Sequence, residues 1–354
     1  MKIVLKRLER TANTRVRMGL TWWQRAVRWA VTVGVEEEGS EVAVADVRRS
    51  YEGQAQVTNY AFFLGGRLRT VHRARRQYLV SVAVALVVPP VLFSVFEVPW
   101  LLGAADGSGP SRYIALIVVF YYCWAMAAVN FVQSSTTGPG VLPRNIHVPK
   151  VGGPPGQTPV QSPQEYYNIV TLPTAQRSAH VEVKYCTACK IWRPPRASHC
   201  RICQVCVQTQ DHHCAWINNC VGQRNYRYFL TFLTATCATC TVLFVSSAIH
   251  LSHETRAVPI VLVAYSGIAL WYPLVLLVYH VCMTATGQTT REFLHTLDGV
   301  KNPVLHPRVR RVPGNPFDSG SYAKNVGRLM AQARGPNNWP PREHTAATDW
   351  RLRR

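Results

Sequence analysis

Four long stretches of this 354-residue sequence contain almost no charge. They run from about Tyr78 to Phe96, extending to Leu102, from Tyr113 to Phe131, from Phe229 to Ile249 and from Val258 to Met283. Each reaches the roughly 20 residues that a helix needs to cross a hydrocarbon core. Four such runs argue against a soluble protein with buried helices. Paired ionisable residues are also missing from them, which speaks against a channel or transporter. Acidic residues are few: 18 Asp and Glu stand against 39 Lys and Arg, a formal charge of +21. With spans present, that excess points to lipid and to phosphate-bearing cofactors as neighbours. No signal-peptide pattern opens the sequence, because Met1 to Trp29 is basic and lacks a continuous apolar core. Nor do the eleven cysteines form a disulfide framework. Seven crowd between Cys186 and Cys220 and mix with histidine, which suits a reducing, metal-replete compartment. No C-x2-4-C-x12-H-x3-5-H spacing follows, so nucleic acid is not an expected partner.

Flanking charge predicts the topology. Arg67, Arg69, Arg73, Arg75 and Arg76 precede the first run, and the segment from Gly138 to Tyr228 and the tail are also basic. The loops at 102–112 and 250–259 are short and nearly neutral. Both termini and the Cys-rich segment are therefore expected in the cytosol. Pro89-Pro90 and Pro273 should bend their helices. Thr236, Cys237, Thr239, Cys240 and Thr241 keep one helix small-faced, for close packing or for a ligand. The expected division is a cytosolic region at 1–77, spans at 78–131, a connector at 132–180, a Cys-rich domain at 181–228, spans at 229–283, a cytosolic region at 284–330 and a tail at 331–354. Val42 to Ala45 is the best strand candidate in the first region, and Gly65-Gly66 a turn. Pro143 to Gln164 is read as a linker. Trp22, Trp23 and Trp29 mark a candidate membrane-surface helix.

Between Cys186 and Cys220, seven cysteines join His199, His212 and His213. C-x2-C pairs at Cys186/Cys189, Cys200/Cys203 and Cys203/Cys206 are the usual mark of tetrahedral zinc. Two closed sites need eight ligands and leave two groups over. Asp211, His212 and Cys214 form a candidate reactive set: His212 would raise the thiolate fraction of Cys214, and Asp211 would orient His212. Residues 212 and 214 share one face of an extended segment, whereas Asp211 needs a bend to reach His212. The alternative is a zinc-stabilised membrane scaffold that binds a partner through residues 181–228.

These residues resemble the DHHC-type protein S-acyltransferases, which are integral membrane palmitoyltransferases. The resemblance rests on Cys186-x2-Cys189, Arg193-Pro194-x-Arg196-x2-His199-Cys200, Cys203, Cys206, Asp211-His212-His213-Cys214, Cys220, Asn225 and Phe229. Asn59-Tyr60, Phe62-Phe63, Gly65-Gly66, Leu142-Pro143-Arg144-Asn145 and Lys190-Ile191-Trp192 resemble the fungal Ras-acylating branch. The resemblance implies an all-α polytopic membrane protein, four transmembrane helices with a cytosolic two-zinc Cys-rich domain between the second and third. It implies two structural Zn2+ ions, one on Cys186, Cys189, His199 and Cys206, the other on Cys200, Cys203, His213 and Cys220. It also implies that Cys214 takes an acyl group from palmitoyl-CoA and passes it to a cysteine of a membrane-associated cytosolic protein of Ras type. A small accessory subunit and an endoplasmic reticulum membrane, alternatively Golgi, are implied as well. Arg193 and Arg196 are candidates for the coenzyme A phosphates. Thr289-Thr290-Arg291-Glu292, and Asn315-Pro316-Phe317 with Gly320, Tyr322 and Asn325, resemble two family motifs that pack against the core and help hold the active site. One departure is Gly138-Pro139-Gly140, where the family has Asp-Pro-Gly.

Overall fold

A computed structural model describes residues 22–33, 55, 57–72, 76–103, 113–142, 144, 167–173, 178–297, 315 and 317–331. The helices are α1 (Trp22–Ala30), α2 (Arg76–Leu92), α3 (Val98–Gly103), α4 (Ile114–Thr136), α5 (Tyr226–His253), α6 (Ala257–Ala285), α7 (Thr290–Leu297) and α8 (Tyr322–Ala331). A π turn, Phe93–Glu97, joins α2 to α3 into one run. The strands are β1 (Val31–Val33), β2 (Tyr60–Phe63), β3 (Leu68–Val71), β4 (Tyr167–Pro173), β5 (Ser178–Cys186), β6 (Ile191–Trp192), β7 (Ser198–Cys200), β8 (Val205–Val207), β9 (His212–Cys214) and β10 (Asn219–Val221). The Val42 to Ala45 segment lies outside the described residues.

The described residues contain four helical runs long and apolar enough to cross a membrane: Gln77–Gly103, Ile114–Thr136, Tyr226–His253 and Ala257–Ala285. The chain is a polytopic membrane protein with its Cys-rich segment between the second and third spans. Helix α5 is the most buried of the four and packs against both α4 and α6. The prolines of α2 explain how it joins them. Pro89 and Pro90 donate no hydrogen bond, so the carbonyls four residues earlier are freed. Those carbonyls belong to Ala85 and Leu86. Tyr265 Oη of α6 donates to the first at 3.2 Å, and Trp124 Nε1 of α4 donates to the second at 2.7 Å. Backbone groups in an apolar layer must find such partners, so the two prolines become docking points and the π turn takes up the irregularity.

Sequence reasoning found no paired ionisable groups in the spans. The structure corrects this. Glu97 closes the π turn and meets His250 near the end of α5, with Nδ1 3.0 Å from Oε2. Read from sequence alone, Glu97 falls in the extension of the first apolar run and His250 just past the third.

Hairpins build the layer outside the spans. β1, β2 and β3 form one antiparallel sheet, β4, β5 and β6 another, and β7–β8 and β9–β10 are two-stranded. Gly65 and Gly66 turn the chain between β2 and β3 with φ of +64° and +81°. Tyr60 Oη donates to Asn219 Oδ1 at 3.1 Å, which docks the first sheet on β10. Asn219 Nδ2 in turn reaches the carbonyls of Ser134, Ser135 and Thr137 at the end of α4. Gly222 admits no side chain, because a Cβ there would come within 2.6 Å of the Pro139 carbonyl oxygen. At Gly138 the Arg69 guanidinium lies where the family's aspartate would project, 3.0 Å from an ideal Cβ.

Candidate active site

Strand alternation sorts the ligand-type residues. Successive side chains on a strand point to opposite faces. His199 and Cys200 are adjacent on β7 and therefore join different groups. Cys186, Cys189, His199 and Cys206 gather in one cluster, and Cys200, Cys203, His213 and Cys220 in the other. The antiparallel register puts His199 opposite Cys206 and His213 opposite Cys220. In each cluster a tight turn aims the second cysteine's N–H at the first sulfur, 3.4 Å for Cys189 to Cys186 and for Cys203 to Cys200. Lys190 and Gln204 follow these turns with φ of +53° and +56°.

The donor geometry fits zinc. Tetrahedral Zn–S and Zn–N bonds of about 2.3 and 2.05 Å imply S···N separations of about 3.6 Å. His199 Nδ1 lies 3.5, 3.4 and 3.8 Å from the sulfurs of Cys186, Cys189 and Cys206. His213 Nδ1 lies 3.7, 3.3 and 3.6 Å from those of Cys200, Cys203 and Cys220. The thiols also compete for charge. Hydrogen bonds from neighbouring thiols drive Cys186 and Cys200 down, and the same partners drive Cys206 and Cys220 up. Cys203, beside Cys200, rises to about 12. Ionising all three thiols of a cluster together therefore calls for a compensating cation, which a divalent metal would supply.

On β9 the same alternation turns His213 to its cluster and His212 and Cys214 to the other face. Asp211, just before the strand, is buried, and its Oδ2 lies 2.7 Å from His212 Nδ1. Asp211 therefore does reach His212, the contact that alternation alone would not give. The other carboxylate oxygen, Oδ1, accepts a hydrogen bond from Thr290 N–H at 2.8 Å. Burial works against the Asp211 charge, yet His212 and the Thr290 N–H hold its pKa below the usual carboxylate value. Burial also pulls His212 down, but hydrogen bonds to Asp211 and Cys214 outweigh it and lift the ring to about 9. Asp211 can thus hold His212 as an imidazolium beside the Cys214 sulfur.

Two neighbours escaped the sequence reading. His280 of α6 sits 3.9 Å from Asp211 Oδ2, with its ring 5.5 Å from that of His212. Tyr226 Oη and His280 Nδ1 form a buried hydrogen bond of 2.9 Å. The missed signal was a lone histidine inside the fourth apolar run, since an ionisable residue at membrane depth is a functional candidate by default.

Among the described residues of the Cys-rich segment, Cys214 is the cysteine outside both clusters, and it faces a cavity. The cavity, about 210 Å³, descends between the spans from Cys214 and Trp216 past Trp124, Phe232 and Thr236 to Phe120 and Leu243. Its walls are almost wholly apolar. The small Thr236, Thr239 and Cys240 of α5 line it, so that face of the helix makes room for a ligand.

A profile of the DHHC palmitoyltransferase family matches residues 179–296. A palmitoyltransferase named ERF2 from Eremothecium gossypii is 43% identical over 336 residues, covering 94% of this chain and 86% of that protein. The ERF2 palmitoyltransferase of Saccharomyces cerevisiae is 43% identical over 331 residues, 92% of this chain and 87% of that one. The chain belongs to the DHHC palmitoyltransferase family. Likeness extends beyond fungi: protein S-acyltransferase 8 of Arabidopsis thaliana is 33% identical over 269 residues, 70% of this chain and 64% of its own length. The protein is an acyltransferase of the DHHC family.

The two remaining DHHC-family motifs are held in place by hydrogen bonds. Thr289 and Glu292 form a capping box at the start of α7: Glu292 N–H donates to Thr289 Oγ1 at 3.2 Å, and Thr289 N–H donates to Glu292 Oε2 at 2.9 Å. The box orients the Thr290 N–H that meets Asp211. Asn315 Nδ2 donates to the Gly287 carbonyl at 3.2 Å, and Asn325 Nδ2 to that of Ala285 at 2.8 Å. These asparagines satisfy carbonyls at the end of α6 that the helix leaves open. Arg193 donates to the Lys184 carbonyl and to Ser198 Oγ. Arg196 is committed to Glu292 and to the Gly287 carbonyl.

Proposed function

We propose that this chain is a protein-cysteine S-palmitoyltransferase in which Cys214 is the nucleophile, His212 its proton partner and Asp211 the group that orients His212. The observation that carries the reading is the position of Cys214. It stands outside both metal-type clusters, next to an imidazole held by a buried carboxylate, and at the mouth of an apolar cavity.

The chemistry runs in two balanced halves. The Cys214 thiolate attacks the thioester carbonyl of palmitoyl-CoA, the bond to the coenzyme A sulfur breaks, and the departing thiolate takes the His212 proton. A substrate cysteine then gives its proton to the neutral His212 and attacks the acyl-enzyme. Cys214 leaves as a thiolate and the starting pair is restored. Thioester exchange needs little driving force, so a reactive thiolate lowers both barriers. The acyl chain would lie in the cavity, where burial is worth about 0.8 kcal/mol per CH2. Arg193, with fewer prior commitments than Arg196, is the better candidate for a coenzyme A phosphate.

Cys186, Cys189, His199 and Cys206 would hold one zinc, and Cys200, Cys203, His213 and Cys220 the other. Four protein donors leave a zinc no open position, so its contribution is structural. The acyl acceptor is a membrane-associated cytosolic protein of Ras type, by resemblance to the fungal branch. The same resemblance supports a small accessory subunit and an endoplasmic reticulum membrane (Golgi as the alternative), and the basic flanks of the spans support cytosolic termini.

The test is intact-protein mass after incubation with palmitoyl-CoA. An adduct of about 238 Da, removed by neutral hydroxylamine and absent from Cys214→Ser, is expected of an acyl-thioester on this residue. No adduct on folded, metal-replete protein, with the accessory subunit supplied, would favour the scaffold.

A further inference from the structure

The Glu97–His250 pair lies far from the proposed chemistry. From Phe229, which packs with Cys214, to His250 is 21 residues of α5, about 32 Å at 1.5 Å per residue. Glu97 is fully buried and His250 nearly so. Trp100 lies flat on the His250 ring, with centroids 4.1 Å apart and planes 9° from parallel. A carboxylate in an apolar layer is costly to keep and calls for a role.

Its neighbours indicate one. Glu97 closes the five-residue π turn that Phe93 opens. Phe93 packs on Phe120 with ring centroids 3.9 Å apart, and Phe120 and Leu243 line the far end of the cavity. Phe93, Leu101, Phe120, Leu243 and Leu262 form one buried cluster, against which Trp100 also packs. A π turn is an irregular, strained element often found at functional sites, and here a side-chain pair ties its last residue to α5.

The length of the cavity fits this arrangement. Phe229 to Leu243 spans 14 residues of α5, about 21 Å. An extended sixteen-carbon chain, built from C–C bonds of about 1.5 Å, measures roughly 19 Å, and an eighteen-carbon chain roughly 22 Å. A firm floor at Phe120 and Leu243 would admit the first and crowd the second.

We propose that the Glu97–His250 pair is a specificity-determining lock: it pins the π turn, the turn holds Phe93 behind Phe120, and the floor so formed limits the acyl chain that the enzyme accepts. This rests on the reading that the cavity receives the donor's acyl chain. The pair is a positioning element and touches neither donor nor Cys214.

The experiment uses the full chain in lipid, with myristoyl-, palmitoyl- and stearoyl-CoA as separate donors and acyl-enzyme formation followed by intact mass. Variants are Glu97→Ala, His250→Ala, Glu97→Gln and Phe93→Ala. A methylene refused by a packed pocket is worth at least about tenfold in selectivity. The stearoyl-to-palmitoyl rate ratio should therefore rise about tenfold in Glu97→Ala, His250→Ala and Phe93→Ala. Glu97→Gln keeps the shape and one hydrogen bond, and its ratio should rise about threefold. A wild-type ratio in the Glu97 and His250 variants, beside a raised ratio in Phe93→Ala, overturns the lock. If the alanine variants fail to retain two metals per chain, Glu97→Gln decides alone, and an unchanged ratio overturns the proposal. If wild-type protein forms no hydroxylamine-labile adduct with any donor, the acyltransfer reading fails and the lock with it. Wild-type acylation with unmoved ratios sinks the lock alone.

Discussion

Arg196 grips both carboxylate oxygens of Glu292, with Nε 2.7 Å from Oε1 and Nη2 2.6 Å from Oε2. The same guanidinium donates to the Gly287 carbonyl and lies 4.3 Å from the centre of the Phe317 ring. The Cys-rich layer, the start of α7 and the C-terminal segment are thus tied at one point. Glu292 also caps Thr289, and the next residue's N–H holds Asp211.

Weakening that clasp should reach the active site. Arg196→Lys loses the two-pronged geometry that lysine cannot reproduce. Both partners are partly exposed, so a stability loss of about 1–2 kcal/mol is expected. Glu292→Gln should act likewise. Because Asp211 loses its fixed N–H partner, acyl-enzyme formation should slow by about tenfold. Thermal unfolding and single-turnover acylation measure the two effects, and a slowed rate at unchanged melting temperature would show the positioning role most cleanly.

The pH dependence follows from His212. Burial pulls its pKa down, but Asp211 and Cys214 bring it to about 9. A raised value favours the cation, so the imidazolium persists at neutral pH and is lost as pH climbs through about 9. The alkaline limb of the acylation rate is expected there. Asp211→Asn removes the carboxylate's pull, and the limb should move down by roughly one to two pH units, which at pH 8 is a loss of about twofold to tenfold. A rate profile for both proteins at fixed palmitoyl-CoA checks the direction.

The carbonyls that Pro89 and Pro90 free make a separate prediction. Trp124→Phe and Tyr265→Phe keep most of the packing but leave Leu86 or Ala85 without a partner at membrane depth. Each should cost about 1–3 kcal/mol, the penalty of an unsatisfied buried polar group. Because both side chains line the cavity, palmitoyl transfer should fall along with stability. Adding Pro89→Ala to Tyr265→Phe restores the helical donor and should recover part of the loss, readable by thermal melting in detergent.

Metal removal should act on the Cys-rich layer first. The Cys186–Cys220 region has little apolar core beyond what the two clusters organise, and structural zinc supplies folding energy in such modules. A strong chelator is expected to unfold this region and abolish acylation while the four spans stay helical. Metal content and palmitoyl adduct should fall together while most of the helical circular dichroism remains. Loss of all helical signal at once would contradict the separation.

Much of this protein was legible before folding was considered. Span length and C-x2-C spacing are local properties, and each follows from one chemical demand: apolar thickness or tetrahedral ligation. The Asp211-His212-His213-Cys214 face was legible too, since strand alternation separates His213 from His212 and Cys214. Tertiary structure alone decided the rest. Arg196, read as a phosphate contact, is occupied by a glutamate 96 residues away. His280 comes within 3.9 Å of Asp211 and is held there by Tyr226, because α5 and α6 pack side by side. Glu97 and His250, 153 residues apart and each unremarkable at the end of its own run, become a buried pair. Sequence periodicity records which face a residue takes on its own element. It does not record which residue of another helix arrives opposite, because that is set by the packing of whole surfaces.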